Sequence, residues 1–164
     1  MTFSRAMALI SMAFLWSGSQ IPLYLFGSSI PVIVDDIGGA DRYAWILLAN
    51  LIPLSSVTPF VGALSDLFGR KWVAVIGAMF LVLGSIVCSV AHDMNTLIGG
   101  QALIGIGAGI NELTALAVAA ELAPKSKRGL YIGAMVLTIL PYCPAGLYAQ
   151  LVSNAGSWRW LGLW

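Results

Sequence analysis

Two places in this sequence hold residue types that could do chemistry. One is Glu112, a carboxylate inside the apolar stretch Leu97 to Leu122. The other is GALSDLFGRKW, Gly62 to Trp72, which crowds an acid, two bases and two glycines between two apolar runs. A charged side chain at the centre of an apolar span costs about 2.5–3.5 kcal/mol on insertion scales, so it needs a cavity or a partner. Two readings of Glu112 stand side by side. Either it lines a cavity and binds a proton or the cationic part of a ligand, or it lies near an interface, reached by water and paired with a loop base. Gln101, Gly105, Ala108 and Glu112 recur at i, i+4, i+7 and i+11. Eleven residues close three helical turns to within about 20°, so Gln101 and Glu112 share a face about 16 Å apart, with small residues between them. Trp16, Gln20 and Tyr24 follow at i, i+4 and i+8, a second candidate cavity wall that packing and interhelical bonding explain equally well. His92 is the one histidine and stands beside Asp93 with no nucleophile, metal set or phosphate loop, which argues against an enzyme.

These residues sit in a chain made mostly of oil. Apolar residues are 59% of it and charged residues 9%, against roughly 25% charged in a soluble domain. With a mean hydropathy of +0.91, the composition implies an all-α membrane protein. The net charge of +1 and the lack of a basic patch exclude a nucleic-acid surface. Cys88 and Cys143 lie in apolar runs without metal-ligand spacing and read as small buried residues. A span needs about 20 apolar residues. Five runs qualify, at about 6–33 (broken by Pro22 and Pro31), 43–64, 72–91, 97–122 and 130–152; a truncated sixth is expected from about 161. The first is too long for a signal peptide and carries Gln20 and Pro22 where cleavage would fall. Six of the eight Lys and Arg (Arg5, Arg70, Lys71, Lys125, Lys127, Arg128) lie on one side if the N-terminus is cytoplasmic, and only Arg42 and Arg159 on the other. That bias sets the expected orientation. Asn50, Ser55, Ser56 and Thr58 read as interhelical glue. Gly105 with Gly109, and Gly77 with Gly84, read as close-packing positions. Pro53, Pro59, Pro141 and Pro144 suggest kinked spans.

In this topology the charged loop is a short cytoplasmic turn between spans two and three. Gly62 would let the end of span two approach another backbone, Gly69 would permit the turn, and Arg70 and Lys71 would hold the inner face. Asp66 needs a partner of its own: a helix N-terminus, Arg70 or Arg128. A second inner loop, ELAPKSKRG at 121–129, offers Pro124 to stop a helix and Glu121 to pair with Arg70; interfacial charges satisfied by water and lipid are the plain alternative.

Gly62, Leu64, Ser65, Asp66, Gly69, Arg70 and Lys71 resemble, position for position, the G-x-L-(S/A)-D-x-x-G-R-(K/R) signature of the major facilitator superfamily. Glu121, Pro124, Arg128 and Gly129 look like the set that follows helix four in that family. The resemblance implies a partial N-terminal six-helix half of a major facilitator transporter, lying in the lipid bilayer and working on a small-molecule substrate, with the C-terminal half of the same transporter missing. It implies a conformational latch of Gly62, Asp66, Gly69, Arg70, Lys71, Glu121 and Arg128. The cavity or coupling candidates are Glu112, Gln101, Gln20 and Tyr24. No metal or organic cofactor is implied, and a proton gradient is the expected energy source. IGGADRYAWILLAN (37–50), IGGQALIGIGAGINEL (98–113) and SWRWLGLW (157–164) resemble the fungal fourteen-helix drug:proton antiporters, trichothecene efflux pumps and siderophore transporters. The resemblance therefore implies proton-coupled efflux of drugs or toxins by alternating access, at the plasma membrane. Siderophore-iron uptake is the alternative, as is a non-transporting short membrane protein that pairs with a full-length relative. Two antiporter elements depart from pattern: the R-x-x-Q-G-x-G of helix four reads Gln101 and Ile104 in place of Arg and Gln, and CPAGLY (143–148) keeps Pro144 but misplaces the glycines of G-P-x-x-G-G. The helix-four Arg is tied to proton coupling in the family, so its replacement bears on that mechanism.

Overall fold

The computed structural model describes residues 3–38, 41–123 and 128–155. They form α1 (Phe3–Ile37), α2 (Tyr43–Phe68), α3 (Arg70–Ser89), α4 (Met94–Leu122), α5 (Arg128–Leu137), a 3-10 turn (Leu140–Tyr142) and α6 (Ala145–Ala155). Five stretches are long and apolar enough to cross a bilayer: Met7–Ile37, Tyr43–Phe68, Arg70–Ser89, Met94–Leu122 and Arg128–Tyr148. The protein is an all-α, multi-pass integral membrane protein. Pro124, Lys125, Lys127, Arg159 and the expected sixth span lie outside the described residues, as does the side chain of Arg5.

The prolines differ in effect from span to span. α1 runs unbroken through Pro22 and Pro31, and α2 through Pro53 and Pro59. A single proline removes one donor and crowds one carbonyl, which a helix packed among others tolerates. The fifth span is the one that breaks. Pro141 and Pro144 stand three residues apart, and there α5 gives way to the 3-10 turn and then α6. Thr138 Oγ1 donates to Met135 O at 2.6 Å, taking up a carbonyl of the ending helix. α2 is longer than expected and carries Ser65 to Phe68 as helix, so the loop between the second and third spans is Gly69 alone. Gly69 has φ +82°, a conformation glycine adopts without penalty, and its N–H bonds Ser65 O at 3.0 Å.

α4 is the axis of the bundle. In its most apolar window 56% of the residues are buried, against 22% or less in each other span. Its glycines explain how neighbours come so close. A Cβ at Gly107 would stand 2.6 Å from Gly77 O on α3, one at Gly109 2.9 Å from Leu54 O on α2, and one at Gly105 would run into the Asn50 backbone. From the α3 side, a Cβ on Gly84 would stand 2.7 Å from Ile104 N. α1 covers a further side of α4, where Trp16 packs with Ala115, Ala119 and Met135. Large apolar side chains such as Met79, Val82, Leu83, Leu130 and Leu137 point outward, as a lipid-facing surface requires.

Candidate functional site

Gln20 on α1 and Glu112 on α4 face each other, with the Gln20 amide set beside the Glu112 carboxylate. Both are half-buried. The contact lies inside two membrane-spanning helices: Gln20 is seventeen residues from either end of α1, and Glu112 is ten from the C-terminal end of α4 at Leu122, the end from which a loop base would have to reach. Among the described residues no base pairs with Glu112; the two ion pairs are Arg42–Asp41 and Arg70–Glu121. One turn along α1 the Trp16 ring is buried, with its indole N–H unpartnered among the described residues. One turn the other way Tyr24 is exposed. Thus a carboxylate, an amide and two aromatic rings share one side of the α1–α4 seam.

Gln101 does not join them. It is 1% exposed and closed between α2 and α3. Asn50 Nδ2 donates to its Oε1 at 3.2 Å, and its Nε2 donates to Cys88 Sγ at 3.8 Å. The helical arithmetic places Gln101 and Glu112 on one face of α4, but the neighbour on that face changes along the helix. Near Gln101 it is α2, whose Asn50 also backs Gly105; near Glu112 it is α1.

The second group lies where the α2–α3 turn meets the end of α4. Arg70 Nη2 and Glu121 Oε1 form an ion pair between α3 and α4. Arg70 Nη1 has no partner among the described residues, and Asp66 forms no ion pair there. Asp66, Arg70, Ser65 and Gly62 line a cleft of about 230 Å³ against Leu113, Thr114 and Ala117 of α4. Gly62 approaches no backbone: a Cβ there would meet nothing within 4 Å. Its lack of a side chain opens the cleft instead of tightening a helix contact. Lys71 and Arg128 are exposed.

Of the polar residues expected to glue α2, only Asn50 does so. Ser55, Ser56 and Thr58 donate to the carbonyls of Leu51, Ile52 and Leu54 in their own helix. Sequence reasoning missed two interhelical contacts. Ser17 and Thr138 join α1 to the end of α5 through their hydroxyls at 2.6 Å. Asn111, fully buried, reaches from α4 to the backbone of α3. A polar amide in an apolar run is the signal that marks it. Beside the Ser17–Thr138 bond, Leu9, Ile10, Ala13, Ala134 and Met135 line an apolar groove of about 300 Å³ between α1 and α5.

Comparison with known proteins gives this geometry its context. Residues 4–163 match the family model described as Major Facilitator Superfamily. The chain is 32% identical over 136 residues to the MFS-type transporter gkaD of Penicillium citrinum, covering 82% of this chain and 23% of that protein. It is 32% identical over 130 residues to Multidrug resistance protein 3 of Bacillus subtilis, covering 79% and 25%. It is 27% identical over 142 residues to the efflux pump FUS6 of Gibberella fujikuroi, covering 84% and 25%. The chain thus spans about a quarter of the length of these curated relatives.

Proposed function

The chain belongs to the Major Facilitator Superfamily, and from that premise we propose that it forms the first helices of a transporter that exports small organic molecules in exchange for protons. The observation that carries the reading is the Gln20–Glu112 contact across the α1–α4 seam. A carboxylate in a span is the group that can exchange a proton for a cationic or hydrogen-bonding part of a substrate, because each neutralises or satisfies it in turn. Gln20 supports the role as a polar neighbour of the carboxylate, and the rings of Trp16 and Tyr24 supply apolar surface beside it. Gln101 takes no part in substrate contact in this reading. It occupies the place of the family's coupling Arg, and Glu112 takes over the exchange. The names of the relatives, a multidrug resistance protein and an efflux pump among them, favour export of drugs or toxins.

The second element of the proposal is a latch at the α2–α3 turn. Arg70 and Glu121 close one side of it, and Asp66 and Arg70 Nη1, unpaired among the described residues, rim a cleft suited to a partner that arrives in one conformational state only. Gly69 gives the turn its shape, Gly62 keeps the cleft open, and Lys71 and Arg128 hold the face cytoplasmic, together with the N-terminus. The plasma membrane is the proposed site, and the rest of the substrate cavity comes from the C-terminal half of the same transporter.

The test is transport in membrane vesicles. Glu112→Gln should abolish proton-driven accumulation of a fluorescent drug while surface expression stays constant. Unchanged transport sinks the coupling role. An antibody to residues 124–129, used on native membranes, checks the context: a band several-fold above 17.3 kDa is expected, and a band at that mass would turn attention to a short form with a separate partner.

A further inference from the structure

Asn111 sits beside Glu112 and points elsewhere. It is fully buried. With its NH2 toward the Ala74 carbonyl, the Asn111 amide donates to Ala74 O at 3.0 Å and accepts from Ala78 N at 3.1 Å. Ala74 C=O and Ala78 N–H are the two ends of one i→i−4 rung of α3. One α4 side chain therefore engages both groups of a single rung, and small sideways or rotational shifts of α4 lose both bonds together. Gly77 makes the approach possible, since a Cβ there would stand 2.5 Å from the Asn111 Oδ1 position and 2.8 Å from Ile110 Cγ2. Asn111 also continues a contact line. Gly100, Ile104 and Gly107 all meet α3, and with Asn111 they fall at i, i+4, i+7 and i+11, one face of a helix.

Consecutive residues on a helix stand about 100° apart. Fixing the azimuth of Asn111 therefore fixes that of Glu112. With Asn111 turned into α3, Glu112 is turned to Gln20 on α1. No other polar contact between α3 and α4 lies near this level among the described residues: Gln101–Cys88 is ten residues away along α4, as is Glu121–Arg70 on the other side of Asn111. Around Gln101 the helix has locks of its own, namely the Asn50 bond and the Gly105–Asn50 backbone approach.

We propose that Asn111 is a positioning residue: its paired bonds to the Ala74–Ala78 rung of α3 set the rotation of α4 that presents Glu112 to Gln20. The positional claim is independent of what Glu112 does; its importance for transport rests on the coupling role proposed above. Removing the amide leaves no stranded backbone, because Ala74 C=O and Ala78 N–H then bond only to each other. The expected defect is misplacement of Glu112 in a chain that still folds.

The experiment is thiol crosslinking of the chain in membranes, with Cys88→Ala and Cys143→Ser removing the native thiols. A short bifunctional thiol reagent should join Gln20→Cys to Glu112→Cys, and Asn50→Cys to Gln101→Cys. Adding Asn111→Ala should lower the first yield about five-fold, the shift that two interhelical bonds of this type support, and leave the second unchanged. Gly77→Ala, which displaces the amide without altering it, should reproduce the pattern. Unchanged yield at the first pair in both variants overturns the proposal. So does an equal fall at both pairs, which would mean a general loss of packing. If Glu112→Gln leaves transport intact while the crosslink still falls with Asn111→Ala, the coupling role fails and the positioning role stands.

Discussion

The two sides of α4 are held by different means. Toward α2 and α3 the closest approaches bring backbone against backbone. Gly105 and Gly109 receive Asn50 and Leu54 of α2, and Gly107 receives Gly77 of α3. Toward α1 the contacts are side chain to side chain: Trp16 on Ala115, Ala119 and Met135, and Gln20 on Glu112. α1 is tied to α5 in turn by the Ser17–Thr138 bond beside an open apolar groove. Backbone contacts have no rotamers to adjust, so they make a rigid three-helix block. Side-chain contacts can re-form at a shifted position, which is what a binding seam needs. The group proposed to exchange a proton sits on the adjustable side, next to a residue anchored to the rigid one.

The largest effect should come from a methyl group on the rigid side. Gly105→Ala forces a Cβ into the Asn50 backbone, and overpacking of this kind costs about 3 kcal/mol where neither side can move. Gly18→Ala on α1 meets nothing within 4 Å and should be neutral or stabilise by up to about 1 kcal/mol through helix propensity. Thermal unfolding of the purified chain in detergent compares the two. Equal losses at both positions would break the division of the molecule drawn here.

Polar contacts come next. Gln101→Leu removes the bond to Asn50 inside the rigid block, and Ser17→Ala removes the bond to Thr138 at the adjustable side. Interhelical hydrogen bonds of this kind average about 0.6 kcal/mol and reach about 1.7. Gln101→Leu should lie at the upper end, since it also strands the buried Asn50 amide, whose Oδ1 already has no partner among the described residues. Ser17→Ala should lie at the lower end, because Thr138 keeps its bond to Met135 O. The reverse order, measured by the same unfolding experiment, would mean that the α1–α5 side is the more tightly determined of the two.

How far the sequence discloses this architecture depends on the kind of contact. The glycine spacings of α4 announce close approach, because a missing side chain on a helix face has few other uses. Gly69 announces its turn for a conformational reason, its φ of +82°. Arg70 and Glu121 are opposite charges at the ends of consecutive packed helices, and their pairing can be anticipated from topology. Gly62 misleads because a glycine that opens a cleft looks in sequence like one that closes a contact. Gln101 misleads for a different reason: periodicity gives the face of a helix but not which neighbour covers that face at each level. Asn111 stands out in sequence as an amide in an apolar run, but its partners are backbone groups, which carry no sequence signature. The prolines show the same dependence on context, with Pro22 and Pro31 absorbed into α1 while Pro141 and Pro144 together end a helix.

The smallest effect on stability belongs to the Arg70–Glu121 pair, and there stability is the wrong place to look for its role. The Glu121 side chain is 61% exposed and that of Arg70 34%. An ion pair so open to water contributes about 0.2–1 kcal/mol, and less as salt rises. A double-mutant cycle of Arg70→Ala and Glu121→Ala, read by thermal unfolding, should give a coupling in that range. A latch is defined by a difference between two conformational states, however, so the same variants should change the rate of the transport cycle far more than the stability of the chain. Asp66→Asn should behave alike, slowing turnover with little change in substrate affinity. If Asp66→Asn instead weakens affinity at constant turnover, the cleft at the α2–α3 turn belongs to substrate recognition. The seam between α1 and α4 would then no longer be the only adjustable surface proposed to meet a ligand.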